Sequence, residues 1–177
     1  MSAAPPPAPE SILVYVGLDL VGDGLIKLPF VRALRAEFPK ARITWLAGKG
    51  KSVYAGALAP LVAGLIDEVI EGAGIGSRWR EIWGRPLGGR RFDLVIATQR
   101  RVPTTLILKR VRARTLVSAA ADFWFSSARP PVGYHKPPSL VRQLLDLVAI
   151  AGARPPGLDP PPPPAPLPAE LVERGRR

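Results

Sequence analysis

Apolar and polar positions alternate along this chain in blocks whose period changes again and again between that of a strand and that of a helix. Residues 12–16 (ILVYV) are a short, β-branched apolar run closed by Gly17, the pattern of a buried parallel strand. From about Leu25 the apolar residues Leu25, Leu28, Val31, Leu34 and Phe38 recur at spacings of three and four, which predicts an amphipathic helix that Pro39 ends. Residues 41–47 (ARITWLA) read as a second strand. Gly48 and Gly50 open a turn, and an Ala- and Leu-rich stretch over 52–59 predicts a helix stopped by Pro60. A short strand follows at 67–71 (DEVIE), then the flexible GAGIG loop and a helical piece over 77–87. Residues 90–98 (RRFDLVIAT) predict a fourth strand with Gln99 just past its end. Pro103 suits the first turn of a helix through Leu106, Ile107, Leu108 and Val111. A fifth strand is predicted at 114–118, and a helix over 139–151 has Ser139 as N-cap and Gly152 at its end. Strands alternating with helices imply an α/β fold, one parallel sheet with helices on both faces.

The flanks break this pattern. Residues 1–10 (MSAAPPPAPE) lack the basic and apolar regions of a secretory signal and read as a disordered tail. Beyond Gly152 a run of five prolines at 160–164 predicts a polyproline II linker, and residues 169–177 look like the start of another helix. The expected organisation is therefore a tail at 1–10, one folded domain at 11–152, and a Pro-rich linker at 153–177. No apolar run approaches the roughly 20 residues of a membrane-spanning helix.

Charge and composition narrow the chemistry. A formal net charge of +11 over 177 residues favours anionic partners: nucleic acid, lipid headgroups or phosphorylated sugars. The absence of cysteine removes disulfides, thiolate metal sites and cysteine nucleophiles, and the single histidine, His135, has no ligand companions, so no metal site is expected. His135 lies in a Pro-bounded loop, the setting of a surface residue more than of a catalyst. No G-x-S-x-G elbow supports a serine hydrolase, and no nucleic-acid recognition element accompanies the charge, so no nucleic-acid partner is expected.

The loop after the first strand holds Gly17, Gly22, Asp23 and Gly24. Their spacing is neither the dinucleotide fingerprint nor a phosphate P-loop. The glycines serve a tight strand-to-helix turn or a ligand, and Asp23 serves as helix cap or as base; position leaves both pairs of readings open. Arg78 and Arg80, beside Trp79 and Trp83, form either an anion-binding segment or a solvated helix face with the indoles packed inward. Arg100 and Arg101, at a strand end, are weaker candidates of the same kind.

The string GDGLIKLPFVRALRAEFPKARITWLAG resembles the opening of the ADP-heptose:lipopolysaccharide heptosyltransferases, glycosyltransferase family 9. The likeness continues through IDEVI at 66–70, RRFDLVIATQ up to Gln99, VGY at 132–134 and LVAIAG at the end of the last helix, so it covers roughly residues 11–152. It implies a Rossmann-like acceptor-binding domain, the N-terminal half of a GT-B enzyme whose C-terminal donor domain lies outside these residues. By the same resemblance Asp23, the acid of the Gly-Asp motif, is the general base on the acceptor hydroxyl in an inverting transfer that uses no cofactor. Gly22, Gly24, Gln99 and Arg100 fall at the acceptor site, and Arg78 and Arg80 at the loop that meets the anionic Kdo sugars. The implied partners are an ADP-sugar held by the second domain and an anionic glycolipid of lipopolysaccharide-core type, met in the cytoplasm at the periphery of the inner membrane. Where the family has Lys or Arg this chain has Gly17, small hydroxyl residues give way to Asp19 and Leu20, and Asp-x-Gln-Gly becomes Ala97-Thr98-Gln99-Arg100. A binding domain or inactive fragment without transfer activity is the alternative.

Overall fold

In a computed structural model the described residues are 7–75, 86–157 and 159. Their strands are β1 (Ser11–Val16), β2 (Arg42–Ala47), β3 (Glu68–Ile70), β4 (Arg91–Ala97) and β5 (Arg112–Ser118), and their α-helices α1 (Val21–Glu37), α2 (Val102–Leu108) and α3 (Leu140–Ala151). The five strands form a single sheet in the order β3-β2-β1-β4-β5, and every pairing is parallel. β1 lies at its centre, which is why residues 12–16 are apolar without alternation: Ile12, Val14 and Val16 face one side and Leu13 and Tyr15 the other, all at most 1% exposed.

Each side has its own core. On the first, Ile12, Val14, Ile43, Trp45, Leu94 and Ile96 pack beneath α1 and α3 through Leu28, Val31, Leu34, Leu144, Leu147 and Val148. On the second, Leu13, Tyr15, Leu46 and Val95 meet Ile107 and Leu108 of α2 and Ile75. The doubly covered parallel sheet predicted from the period changes is present.

Local differences have local causes. α1 begins at Val21, a turn earlier than its apolar stripe, because Leu20 is the extended N-cap residue and its carbonyl accepts the first helical bond, from Gly24 N–H at 2.8 Å. The helix expected over 52–59 is instead two 3₁₀ turns, Val53–Ala55 and Ala59–Val62. Gly56 stands between them at φ −128°, ψ −114°, outside the helical region. The Ser52 hydroxyl accepts from Tyr54 N–H and starts a tight turn there. Gly152 does end α3, but at φ −83°; the left-handed residue is Ala153 at φ +54°. Gly152 is small because a Cβ there would strike the Glu37 carboxylate, which pairs with Arg154 at 2.8 Å. Ser139 occupies the N-cap position of α3 without a side-chain capping bond. The helical piece expected at 77–87 and the linker expected over 160–164 lie outside the described residues, apart from Pro86–Gly89, a 3₁₀ segment in which Leu87 and Gly88 leave helical φ/ψ.

Two charged clusters fasten the β3 edge. Arg35, near the end of α1, donates to the carbonyls of Leu65 and Ala41 and to Asp67 at 2.6 Å. Arg90 grips Glu68 in a fork with two contacts of 2.8 Å. The Arg90 hydrogen bonds, and after them its charge and Arg42, outweigh burial and hold the Glu68 carboxyl at about 2. A carboxyl lowered on folding contributes stability that is complete above its ordinary value of 4.5 and disappears as pH falls through about 2. Melting temperature is therefore expected to fall between these limits less steeply in Glu68→Gln than in the unchanged chain; parallel curves would show that the pair does not link folding to protons.

Candidate functional site at the carboxyl ends of the central strands

Strand order reverses direction between β1 and β4, so the loops leaving their carboxyl ends diverge and open a crevice, the usual ligand position in open parallel sheets. The β1 loop is held from both sides. Gly17 C=O accepts from Lys49 N–H at 3.0 Å, and a Cβ at Gly17 would fall on the Gln99 carboxamide. Gln99 thus fills the space that a side chain at position 17 would need. On the β4 side, Thr98 donates to Tyr15 C=O through both its N–H and its hydroxyl, the latter at 2.9 Å.

Asp23 sits in the first turn of α1 and does not cap it: the N-cap is Leu20, and the helix has no side-chain capping bond. Its carboxylate is half-buried and has no hydrogen-bond or ion-pair partner among the described residues. The positive end of the helix dipole favours an anion there, so a solely stabilising role remains compatible with its position. Gly22 is exposed with open space about it, whereas Gly24 is buried because a Cβ would collide with Val53 and Leu58; Tyr54 hydroxyl donates to Gly24 C=O at 2.6 Å. Gly24 thus has a packing reason, and Gly22 has none. Leu18, Leu20, Val21, Leu25 and Ile26 are all exposed around Asp23, an apolar rim at the open end of the sheet.

Beneath this loop lies a cluster that sequence reasoning passed over. Asp19, 2% exposed, accepts from Trp45 Nε1 at 3.0 Å and from Ser52 hydroxyl at 2.5 Å, and pairs with Lys27 at 3.5 Å. Burial first, and then the charge of Asp19, push the Tyr54 hydroxyl well above its usual range, with Arg32 opposing. The only sequence sign was an acid where hydroxyl residues are usual; its partners come from β2, α1 and the 3₁₀ turn and share no spacing.

The β4 and β5 loops enclose a cleft of about 220 Å³ lined by Arg100, Ala119, Asp122, Phe123, Pro130, Pro131, Gly133, Tyr134, Lys136 and Gln143. Arg100 is loosely paired, at 3.4 Å, with the fully exposed Asp122. Tyr134 donates to the buried Asp146 at 2.7 Å and meets Phe123 edge to face. Burial, followed by the bond to Asp146, raises its hydroxyl and keeps it a donor. Lys136 and Tyr134 belong to the GYHKPP loop, where sequence had weighed only His135, an exposed residue.

Of the candidates, Gly22, Asp23 and Gly24 lie in the first turn of α1, just after β1, and Gln99 and Arg100 in the loop after the neighbouring β4, at the same end of the sheet, with Arg101 as the N-cap of α2. Asp23 does not line the cleft that contains Arg100. Arg78 and Arg80 lie outside the described residues. Asp93 is at the opposite end, accepting from Glu10 N–H, Ser11 N–H and Ser11 hydroxyl, and no group of acids or histidines suited to a metal occurs among the described residues.

An all-parallel sheet of this order, covered on both faces and carrying its polar loops at the switch point, is an α/β fold shared with glycosyltransferases of GT-B architecture. Solved structures resemble it, two of which illustrate the likeness. One is ADP-heptose lps heptosyltransferase II from E. coli, with TM-score 0.51 and 17% identity over 84% of this chain and 41% of the other. The second is a glycosyl transferase family 9 protein from Veillonella parvula, with TM-score 0.52 and 18% identity over 80% of this chain and 42% of the other. The chain therefore spans about two fifths of the length of these structures. No family model and no curated protein sequence matches it.

Proposed function

We propose that the domain is the acceptor-binding half of a heptosyltransferase-like glycosyltransferase, with Asp23 as general base. The observation that carries this reading is the Asp23 carboxylate, unpaired among the described residues, at the open end of the central strand, in a fold shared with heptosyltransferases. Asp23 takes the proton from an acceptor hydroxyl, and that oxygen bonds to the anomeric carbon as the bond from that carbon to the ADP oxygen breaks. ADP leaves and the configuration inverts. A nucleoside diphosphate leaves readily, so one positioned base suffices and the acid–base pair of a glycosidase is not required. Arg100 and Lys136 supply two cations to phosphorylated or acidic sugars of a lipopolysaccharide-core acceptor, beside Tyr134, whose proton is held by Asp146 and whose oxygen is left to accept. The ADP-sugar is held by a second domain, and the apolar rim around Asp23 is the surface this domain covers. A glycolipid acceptor is met at the membrane surface, on its cytoplasmic side; no helix among the described residues is long and apolar enough to cross a membrane. Under the rival reading the same cleft binds the glycolipid without transfer.

Calorimetric titration with a phosphorylated inner-core oligosaccharide tests acceptor binding. Affinity is expected to fall steadily with added salt. Arg100→Glu is expected to weaken it by about tenfold, since each exposed charge contact is worth up to roughly 1 kcal/mol and reversal acts twice. Affinity indifferent to both salt and Arg100→Glu would remove this cleft from the acceptor site, and tighter binding to DNA than to the oligosaccharide would favour a nucleic-acid role.

A further inference from the structure

Asp23 and Lys27 are four residues apart on α1, acid before base, the spacing and order at which a helix pairs opposite charges by default. They do not pair. The Lys27 ammonium lies 3.5 Å from Asp19 Oδ1, with 12% of the lysine side chain and none of the aspartate side chain exposed. The other carboxylate oxygen of Asp19 accepts from both Trp45 Nε1 and Ser52 hydroxyl, which fixes the group so that Oδ1 is left for the lysine. Among the described residues, Tyr54 feels the Asp19 charge with Arg32 opposing, and Glu71 accepts from Ser52 N–H at 2.6 Å beside the cluster.

We infer that Asp19 is a positioning residue that captures Lys27 and so keeps the Asp23 carboxylate unpaired. A buried anion without a cation is far costlier than a half-exposed one, so the lysine goes to Asp19. Asp23 then keeps its oxygens for an incoming hydroxyl. A base already engaged by an ammonium would be weaker and partly blocked, and at this position the helix would otherwise supply that ammonium itself. The importance of the arrangement for catalysis rests on the general-base reading of Asp23; the competition for Lys27 does not.

Lysine Nζ resonances of the ¹⁵N-labelled full chain provide the test, with Lys27 assigned by its loss in Lys27→Met. In the otherwise unchanged chain, Asp23→Asn is expected to leave the Lys27 Nζ signal in place, and Asp19→Asn to shift it. Within the Asp19→Asn background, Asp23→Asn is expected to shift it again, because the freed ammonium has turned to Asp23. Asp19→Ser, with a smaller polar side chain, replaces Asp19→Asn if the amide variant fails to fold, and the first arm needs neither. A Lys27 shift on Asp23→Asn alone would overturn the proposal, and so would the lack of one in the background without the Asp19 carboxylate. Sugar transfer is not measured, so failure here is distinct from failure of the glycosyltransferase reading.

Discussion

Replacing Asp23 by asparagine, in an enzyme assembled from this chain and the donor domain of a heptosyltransferase, is expected to lower kcat by roughly 10²- to 10⁴-fold, the contribution of one positioned base. Acceptor affinity should change little, since the amide keeps the shape of the carboxylate and the cleft lined by Arg100, Tyr134 and Lys136 is untouched. A fall in kcat with KM preserved marks an interaction made in the transition state. The domain by itself should transfer nothing detectable. On the proposed reading these residues supply the base and the acceptor cleft while a donor domain holds the electrophile, and orienting two reactants accounts for about 7 to 11 kcal/mol of barrier reduction. ADP release and product mass, followed with and without the donor domain, decide both points. A full rate in Asp23→Asn would end the base assignment, and brisk transfer by the single domain would end the requirement for a partner domain.

The second large effect concerns stability. Trp45→Ala is expected to cost about 3 to 5 kcal/mol through the cavity it opens, with roughly 1 to 3 kcal/mol more because buried Asp19 loses a donor. Against the roughly 5 to 15 kcal/mol of a typical domain, that removes a large share of the stability. Trp45 bears this weight because it is fully buried between Phe30, at 6.4 Å between ring centroids, and Tyr54, at 4.9 Å, while its N–H reaches the Asp19 carboxylate. Trp45→Phe keeps most of the ring contacts and should lose only a fraction as much. Urea unfolding of the two variants separates the contributions, and equal losses would assign the effect to the indole N–H.

The sheet could be read from the sequence because its central strands are buried on both faces and therefore run apolar without alternation: 12–16 and 94–97 advertise themselves. The helix expected over 52–59 failed for the opposite reason. Its composition suits a helix up to Pro60, but Gly56 leaves helical φ/ψ in the middle of it and Asp19 captures Ser52, a tertiary contact that composition does not encode. The site was legible only where it is local. Gly22, Asp23 and Gly24 stand in one turn, and Gln99 and Arg100 follow a strand that ends where its apolar run ends. Asp19 with Trp45, Ser52 and Lys27, and Tyr134 with Asp146, join segments far apart in sequence, and no spacing rule connects them.

Arg35 carries a consequence for the order in which the chain acquires its structure. Its guanidinium joins the last turns of α1 to the entrance of β2 at Ala41 and to the approach to β3 at Leu65 and Asp67, so β1, α1, β2 and β3 are cross-linked within the first 70 residues. β4 and β5 add to the free side of β1 only later in the chain. The amino-terminal half is thus able to condense on a growing nascent chain while β1 still shows an open edge, and translation speed through residues 71–97 sets how long that edge stays exposed to other chains.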